Sequence, residues 1–178
     1  YHSKKFSKAG GVFEMVQLWI NLPKKNKMVC SNYQSIKKEK IPIISLSKIS
    51  NMRVVAGEYK NFKGPAKTFT NINIYEISSN EKDKISVKIK KKSNTLLLIM
   101  NGSICIQDQK YLNKSLVIFD REAANLNFTT SSDFRCLILN GDPIDESLVS
   151  YGPFVMNTQE EINQAITDYQ SGRMGKIK

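Results

Sequence analysis

Hydrolytic and acid–base catalysis needs a nucleophile, a base and a group that orients the base. The 178-residue sequence is poor in such sets. Its single histidine is His2, at the extreme amino terminus, where chains fray unless something ties them down. Any Ser/His/Asp or Cys/His arrangement would rest on that residue. The patterns GxSxG, GxxxxGKS/T and GxGxxG do not occur, and Gly10-Gly11 is only a dipeptide that a turn or bulge explains. Two carboxylate groupings remain. Glu160 and Glu161 fall in the first turn of an expected helix, where negative charge complements the macrodipole, and Asp142, Asp145 and Glu146 gather around Pro143 as an acidic surface loop. Neither grouping demands a catalytic role. The cysteines, Cys30, Cys105 and Cys136, are odd in number and widely spaced. They suit a reducing compartment and make neither a disulfide framework nor a paired zinc knuckle. Cys105 and Cys136 lie in apolar runs, where a free thiol acts as a small buried hydrophobe.

The elements that would position these groups are short runs of period-two alternation or dense β-branched content, each ended by Gly, Asn, Asp, Ser or Pro. In MVQLWINL, Val16, Leu18, Ile20 and Leu22 alternate with Gln17, Trp19 and Asn21, and Pro23 ends the run because it cannot donate to a ladder. Further strands are expected over 52–57, 68–77, 85–89, 115–119, 125–129 and 134–139. The runs 96–100 and 103–107 flank Asn101-Gly102, which predicts a type I′ hairpin. Asn140-Gly141-Asp142-Pro143 closes the series with turn chemistry. The pattern changes at Thr158. Thr158 and Glu161 form a capping box, Ile162, Ala165, Ile166 and Tyr169 follow helical spacing, and Gly172 sits where the helix can end. One amphipathic helix packed on a small antiparallel barrel is expected. The lysine-rich stretch 31–50 reads as a connection, and the basic run 88–92 as a solvated loop.

Composition narrows the function classes. With 27 Lys+Arg against 16 Asp+Glu the net charge is +11, and 40% of residues are apolar. A chain of this size buries roughly two thirds of its unfolded surface and needs no staple to stay folded. Only Arg53, Arg121, Arg135 and Arg173 are arginine, whereas planar recognition of phosphate and guanine favours Arg over Lys. Lysine, asparagine and isoleucine enrichment reads as compositional drift over a solvated surface, so no specific nucleic-acid partner is expected. No apolar run approaches the roughly 18 to 20 residues of a spanning helix, and YHSKKFSKAGG lacks a signal-peptide core. A soluble, cytoplasmic protein without a membrane partner is expected.

Two stretches go beyond fold class. GGVFEMVQLWINLPKKNKM, followed by Tyr33-Gln34, resembles the segment in which the first cupin barrel of the pirin family ends. YGPFVMNTQEEINQAITDYQSGRMG, residues 151–175, resembles that family's carboxy-terminal signature, and RVVAGE at 53–58 and NGDP at 140–143 resemble shorter family motifs in the right order. Residues 71–134 are divergent and supported only by strand spacing. The resemblance implies an all-β fold: a cupin, or jelly-roll-like antiparallel β-barrel, over 37–178, with one C-terminal amphipathic α-helix at about 158–171. Before it, over 1–36, it implies terminal strands of an incomplete first cupin barrel and a linker. In the family that first barrel holds one iron through three histidines and a glutamate, the last two as His-x-Glu before a glycine pair. Here the stretch reads His2-Ser3-Lys4, so His2 matches a ligand, Lys4 replaces the expected Glu, and the upstream His-x-His has no counterpart. One imidazole does not hold a mononuclear iron, and an ammonium repels a divalent cation.

Three functions follow from the resemblance. The expected one is a truncated, non-catalytic fragment of a split or decaying gene, with no catalytic residues and no cofactor of its own, iron belonging to the intact family. Its partner would be a separately encoded N-terminal cupin half, or a second copy through the exposed edge strand at 16–22. The second is an iron-dependent quercetin 2,3-dioxygenase-type enzyme if such a half completes the site. The third is a protein-interaction module or transcriptional cofactor.

Overall fold

Alternation sets which residues enter sheet, and the count of apolar faces sets where each strand lies. In the computed structural model, which describes residues 4–175, the chain opens with helix α1 (Lys4–Ala9) and runs without strand or helix to a 3-10 turn at Lys24–Asn26. The strands follow as β1 (Ile43–Ser45), β2 (Ser50–Ala56), β3 (Glu58–Tyr59), β4 (Phe62–Lys63), β5 (Ile72–Ser79), β6 (Lys84–Lys88), β7 (Asn94–Asn101) and β8 (Ser103–Ile106). Then come β9 (Gln109–Leu112), β10 (Leu116–Phe119), β11 (Asn125–Thr130), β12 (Phe134–Gly141), β13 (Val149–Tyr151), β14 (Phe154–Met156) and helix α2 (Gln159–Gln170). A six-stranded sheet, ordered β1-β2-β5-β12-β7-β10, faces a four-stranded sheet, ordered β6-β11-β8-β9. Every strand pairing within the two sheets is antiparallel. The fold is the expected cupin barrel with one helix at its C-terminal end.

The core lies between the sheets. Met52 and Val54 of β2, Tyr75 and Ile77 of β5, Leu97 and Ile99 of β7, and Cys136 and Ile138 of β12 point inward. Ile85 and Val87 of β6 and Leu126 and Phe128 of β11 meet them. Phe128 and Phe134 pack with ring centroids 6.1 Å apart. Two polar clusters flank this core. At one end Ser47 Oγ donates to Asp83 Oδ2 at 2.6 Å, Ser50 Oγ donates to the same oxygen, and Ser50 and Ser79 hydroxyls lie 2.8 Å apart in the buried layer. At the other, Asn140 Nδ2 donates to Ser93 Oγ (2.6 Å) and Thr95 Oγ1 (2.8 Å), while its Oδ1 accepts from Asn73 Nδ2 at 2.9 Å.

Three expectations are corrected. Asn101-Gly102 is not a hairpin: β7 and β8 belong to different sheets, and the dipeptide is a corner between them. Gly102 has φ +77°, and a Cβ there would lie 2.6 Å from Ser131 Oγ, so the corner packs closely against the connection from β11 to β12. The true hairpin joins β8 to β9 through Gln107-Asp108, both at positive φ, a turn built without glycine. The strand expected at 16–22 is absent. Among the described residues the backbone of 11–22 makes no hydrogen bond, because no neighbouring strand lies beside it. Finally, α2 rests on the β13–β14 hairpin, with Ile162 and Ala165 buried and Phe154 and Tyr169 in edge contact at 6.2 Å. Its capping box is present as expected, Glu161 N–H donating to Thr158 Oγ1 at 3.2 Å and Thr158 N–H to Glu161 Oε2 at 3.1 Å.

Ile138→Ala empties a fully buried position and is expected to cost about 2–5 kcal/mol in denaturant unfolding. Ile118→Ala, on a side chain 74% exposed, is expected to stay within about 0.5 kcal/mol. The hydrogen bonds from Ser47 and then Ser50 hold the Asp83 carboxyl below its ordinary value. A carboxyl whose folded pKa is depressed stabilises the fold above the ordinary carboxylate range and loses that contribution as pH falls through the folded pKa. Asp83→Asn is therefore expected to cost about 1–3 kcal/mol at neutral pH. The gap to the parent should close below the carboxylate range in thermal melts across pH.

Candidate functional site

His2, the one residue matched to a metal ligand, lies outside the described residues. Lys4 opens α1 with its side chain exposed. Among the described residues no group of three or more His, Cys, Asp or Glu side chains is placed to hold a metal. The barrel interior explains this locally: the middle of it is taken by Ile, Leu, Val, Met, Phe and Tyr with Cys136 as its one thiol, and the buried polar side chains at its ends are Ser, Thr and Asn. Burial pushes the Cys136 thiol far up, against a smaller opposing effect of its hydrogen bond to the Ile77 backbone, so it stays neutral. Tyr75 is likewise pushed up to about 12, first by burial and then by Tyr59 and Glu58, and its hydroxyl donates to the Glu58 carbonyl at 2.6 Å. Both groups are packing elements. Cys105 points outward and is half-buried, and Cys30 is exposed, so only Cys136 of the two strand cysteines is the buried hydrophobe expected.

Asp142, Glu146 and Glu161 are committed elsewhere. Asp142 is held below its ordinary value by the Lys90 ammonium, 2.9 Å away, and by Asn71 Nδ2 at 2.8 Å. Glu146 accepts from the Lys24 N–H at 2.7 Å and from Asn157 Nδ2 at 3.2 Å. Glu161 closes the capping box, and its carboxyl is held low by the Asn157 N–H first. An open depression of about 1100 Å³ spans Lys25, Glu58, Lys63, Asn71, Asp142 and Glu146. Of its three carboxylates Asp142 and Glu146 are already paired, while Glu58 stands opposite Lys63 in the β3–β4 ladder.

What the structure does bring together lies on the outer face of the six-stranded sheet. Cross-strand register aligns Ile118, Leu96, Leu139 and Ile74 in one row, and Leu116, Leu98 and Leu137 in the next. An arm, residues 10–22, crosses this apolar face. Glu14 is ion-paired with Arg135 at the start of β12, and Leu18, Trp19, Ile20 and Asn21 border a groove of about 380 Å³ floored by Ile72, Ile74, Leu96 and Leu139. Asn21 Oδ1 then accepts from Lys27 Nζ at 2.6 Å, and Lys27 also donates to the Val155 carbonyl at 2.9 Å. The far side of the arm stays bare, with Val12, Phe13, Met15 and Trp19 exposed. The signal for this face was in the sequence: LLLIM and FRCLIL are apolar at both parities, the mark of strands covered on two sides. The arrangement binds through apolar contact and offers no reacting group.

No helix among the described residues is long and apolar enough to cross a membrane. The family model for the pirin C-terminal cupin domain matches residues 74–175. A Pseudomonas aeruginosa protein provisionally named quercetin 2,3-dioxygenase is 34% identical over 97% of this chain and 61% of its own. Mouse pirin is 30% identical over 90% of this chain and 57% of its own. The crystal structure of quercetin 2,3-dioxygenase from Acinetobacter baumannii superposes with TM-score 0.94 and 38% identity, covering 99% of this chain and 62% of that one. The chain thus spans about three fifths of the length of the relatives it matches. On the domain match and these relatives together, the chain belongs to the pirin family.

Proposed function

We propose that this chain is a barrel unit without a metal site: non-catalytic alone, and part of an iron-dependent quercetin 2,3-dioxygenase-type activity only where another barrel supplies the ligands. One observation carries the reading. The middle of the described barrel is filled by aliphatic and aromatic side chains and its buried polar groups are Ser, Thr and Asn, while the sequence contains a single histidine. A mononuclear iron of the kind the family resemblance implies needs several imidazole and carboxylate donors converging on one point, and these residues do not fit it. Wherever His2 sits, the chain supplies one imidazole, with Lys4 in place of a carboxylate.

A second reading, the protein-interaction module that the family resemblance implies, is favoured by the bare apolar arm. Exposed apolar surface of this kind marks binding faces more often than catalytic ones.

After anaerobic reconstitution with Fe(II), the chain alone is expected to retain far less than one iron per chain and to consume quercetin and oxygen no faster than an Fe(II) blank. Lys4→Glu is expected to change neither value, since a restored carboxylate still leaves two imidazoles missing. Stoichiometric iron with turnover in the parent chain would overturn the reading.

A further inference from the structure

We infer that the open depression beside the loop 64–71 is a binding site for a small carboxylic acid with a planar apolar body. At about 1100 Å³ it has room for a ligand of drug size. One wall is the loop itself, which is pinned along its length. Gly64 N–H donates to the Gly57 carbonyl at 2.8 Å and Ala66 N–H to the Val55 carbonyl at 3.2 Å. A side chain at 64 has no space, since a Cβ there would lie 2.7 Å from the Val55 and Ala56 backbone. Gln34 holds Lys67 by both backbone groups, its Nε2 donating to the carbonyl at 2.9 Å and its Oε1 accepting from the N–H at 2.8 Å. Asn71 closes the loop onto the far wall, its Nδ2 donating to Asp142 Oδ2 at 2.8 Å and its carbonyl accepting from the Asp142 N–H at 3.2 Å. A wall fixed in this way loses little freedom when a ligand arrives.

Between these pins the loop keeps unused donors. The backbone N–H groups of Thr68, Phe69 and Thr70 make no hydrogen bond among the described residues. Three successive donors call for an acceptor, and an anionic oxygen supplies one. The Phe69 ring, 56% exposed on the rim, offers the surface against which a planar body lies.

Charge selects the head group. Lys25, Lys63 and Lys67 line the depression, and their ammonium groups make no ion pair or hydrogen bond among the described residues. Asp142 is matched by Lys90 at 2.9 Å. Glu58 and Glu146 then stand against three ammoniums, a surplus of one positive charge that suits a carboxylate better than a phosphate dianion. Lysine fits the task, being a point charge on a flexible stem that reaches an anion without demanding a fixed fork geometry. None of these groups bears on iron, so the site and the functional reading are tested separately.

The test titrates 2-naphthoate into the full 15N-labelled chain and follows the amide spectrum, with 2-naphthalenemethanol as the neutral isostere and 2-naphthyl phosphate as the dianion. Saturable shifts of the Thr68, Phe69 and Thr70 amides are expected with the acid, with binding about tenfold weaker for the alcohol and no tighter for the phosphate. Lys63→Gln and Lys67→Gln are each expected to weaken binding about threefold and together about tenfold, the scale of exposed charge pairs. Phe69→Ala is expected to weaken it about fivefold, and added salt to weaken the acid but not the alcohol. Lys110→Gln, exposed on β9 of the other sheet, should leave binding unchanged. All four side chains are exposed, and unshifted β12 amides in the same spectra check that each variant is folded. An acid that leaves the loop amides unmoved, an alcohol that binds as tightly as the acid, a phosphate bound about tenfold tighter, or affinity indifferent to the paired lysine substitution would each overturn the inference.

Discussion

The structure depends on the two-sided apolarity of three neighbouring strands, β5, β12 and β7. Ile138 faces the core and Leu139 and Leu137 face away from it; Leu97 and Ile99 face in while Leu96 and Leu98 face out. A strand with one wet face can sit anywhere in a barrel wall, but these cannot, and β12 accordingly lies near the middle of the six-stranded sheet. The inward half of that pattern makes the core. The outward half creates a second apolar surface that the fold must cover, which is why a segment with no backbone partner of its own is nevertheless held against the sheet.

Much of this was legible in the sequence. Alternation located β2, β6, β11 and β12, and Thr158 with Glu161 located the start of α2. Two failures are informative. Asn101-Gly102 has the local chemistry of a hairpin turn, yet Gly102 is needed for a close approach to Ser131 at a corner between sheets, and local propensity does not distinguish the two uses of a positive φ. The alternation of Val16, Leu18 and Ile20 is that of a strand, but a strand exists only with a neighbour to pair with, and the described residues supply none. Periodicity reports which side chains seek burial, not whether a ladder is available. The short strands β1, β3, β4, β9, β13 and β14 passed unnoticed because two to four residues carry too little pattern.

The site was legible chiefly through what the sequence lacks. The sequence contains one histidine, and in the structure Asp142, Glu146 and Glu161 serve ion pairs, hydrogen bonds and the capping box. The outer-face rows depend on cross-strand register, a property of pairs of strands that no single run of sequence displays. Leu116 and Ile118 read alone as an ordinary edge; beside Leu98, Leu137, Leu96 and Leu139 they become the rim of a continuous face.

The central claim is that the barrel wall holds itself together through its own ladders while the arm is an apolar strap that lies on its outer face outside any ladder. Native-state amide hydrogen exchange on the chain alone tests it directly, because protection separates amides in a closed ladder from those that are merely covered. Slow exchange is expected through β5, β7 and β12, with exchange at 11–22 close to that of an open chain. Protection of 11–22 comparable to that of β12 would contradict the claim.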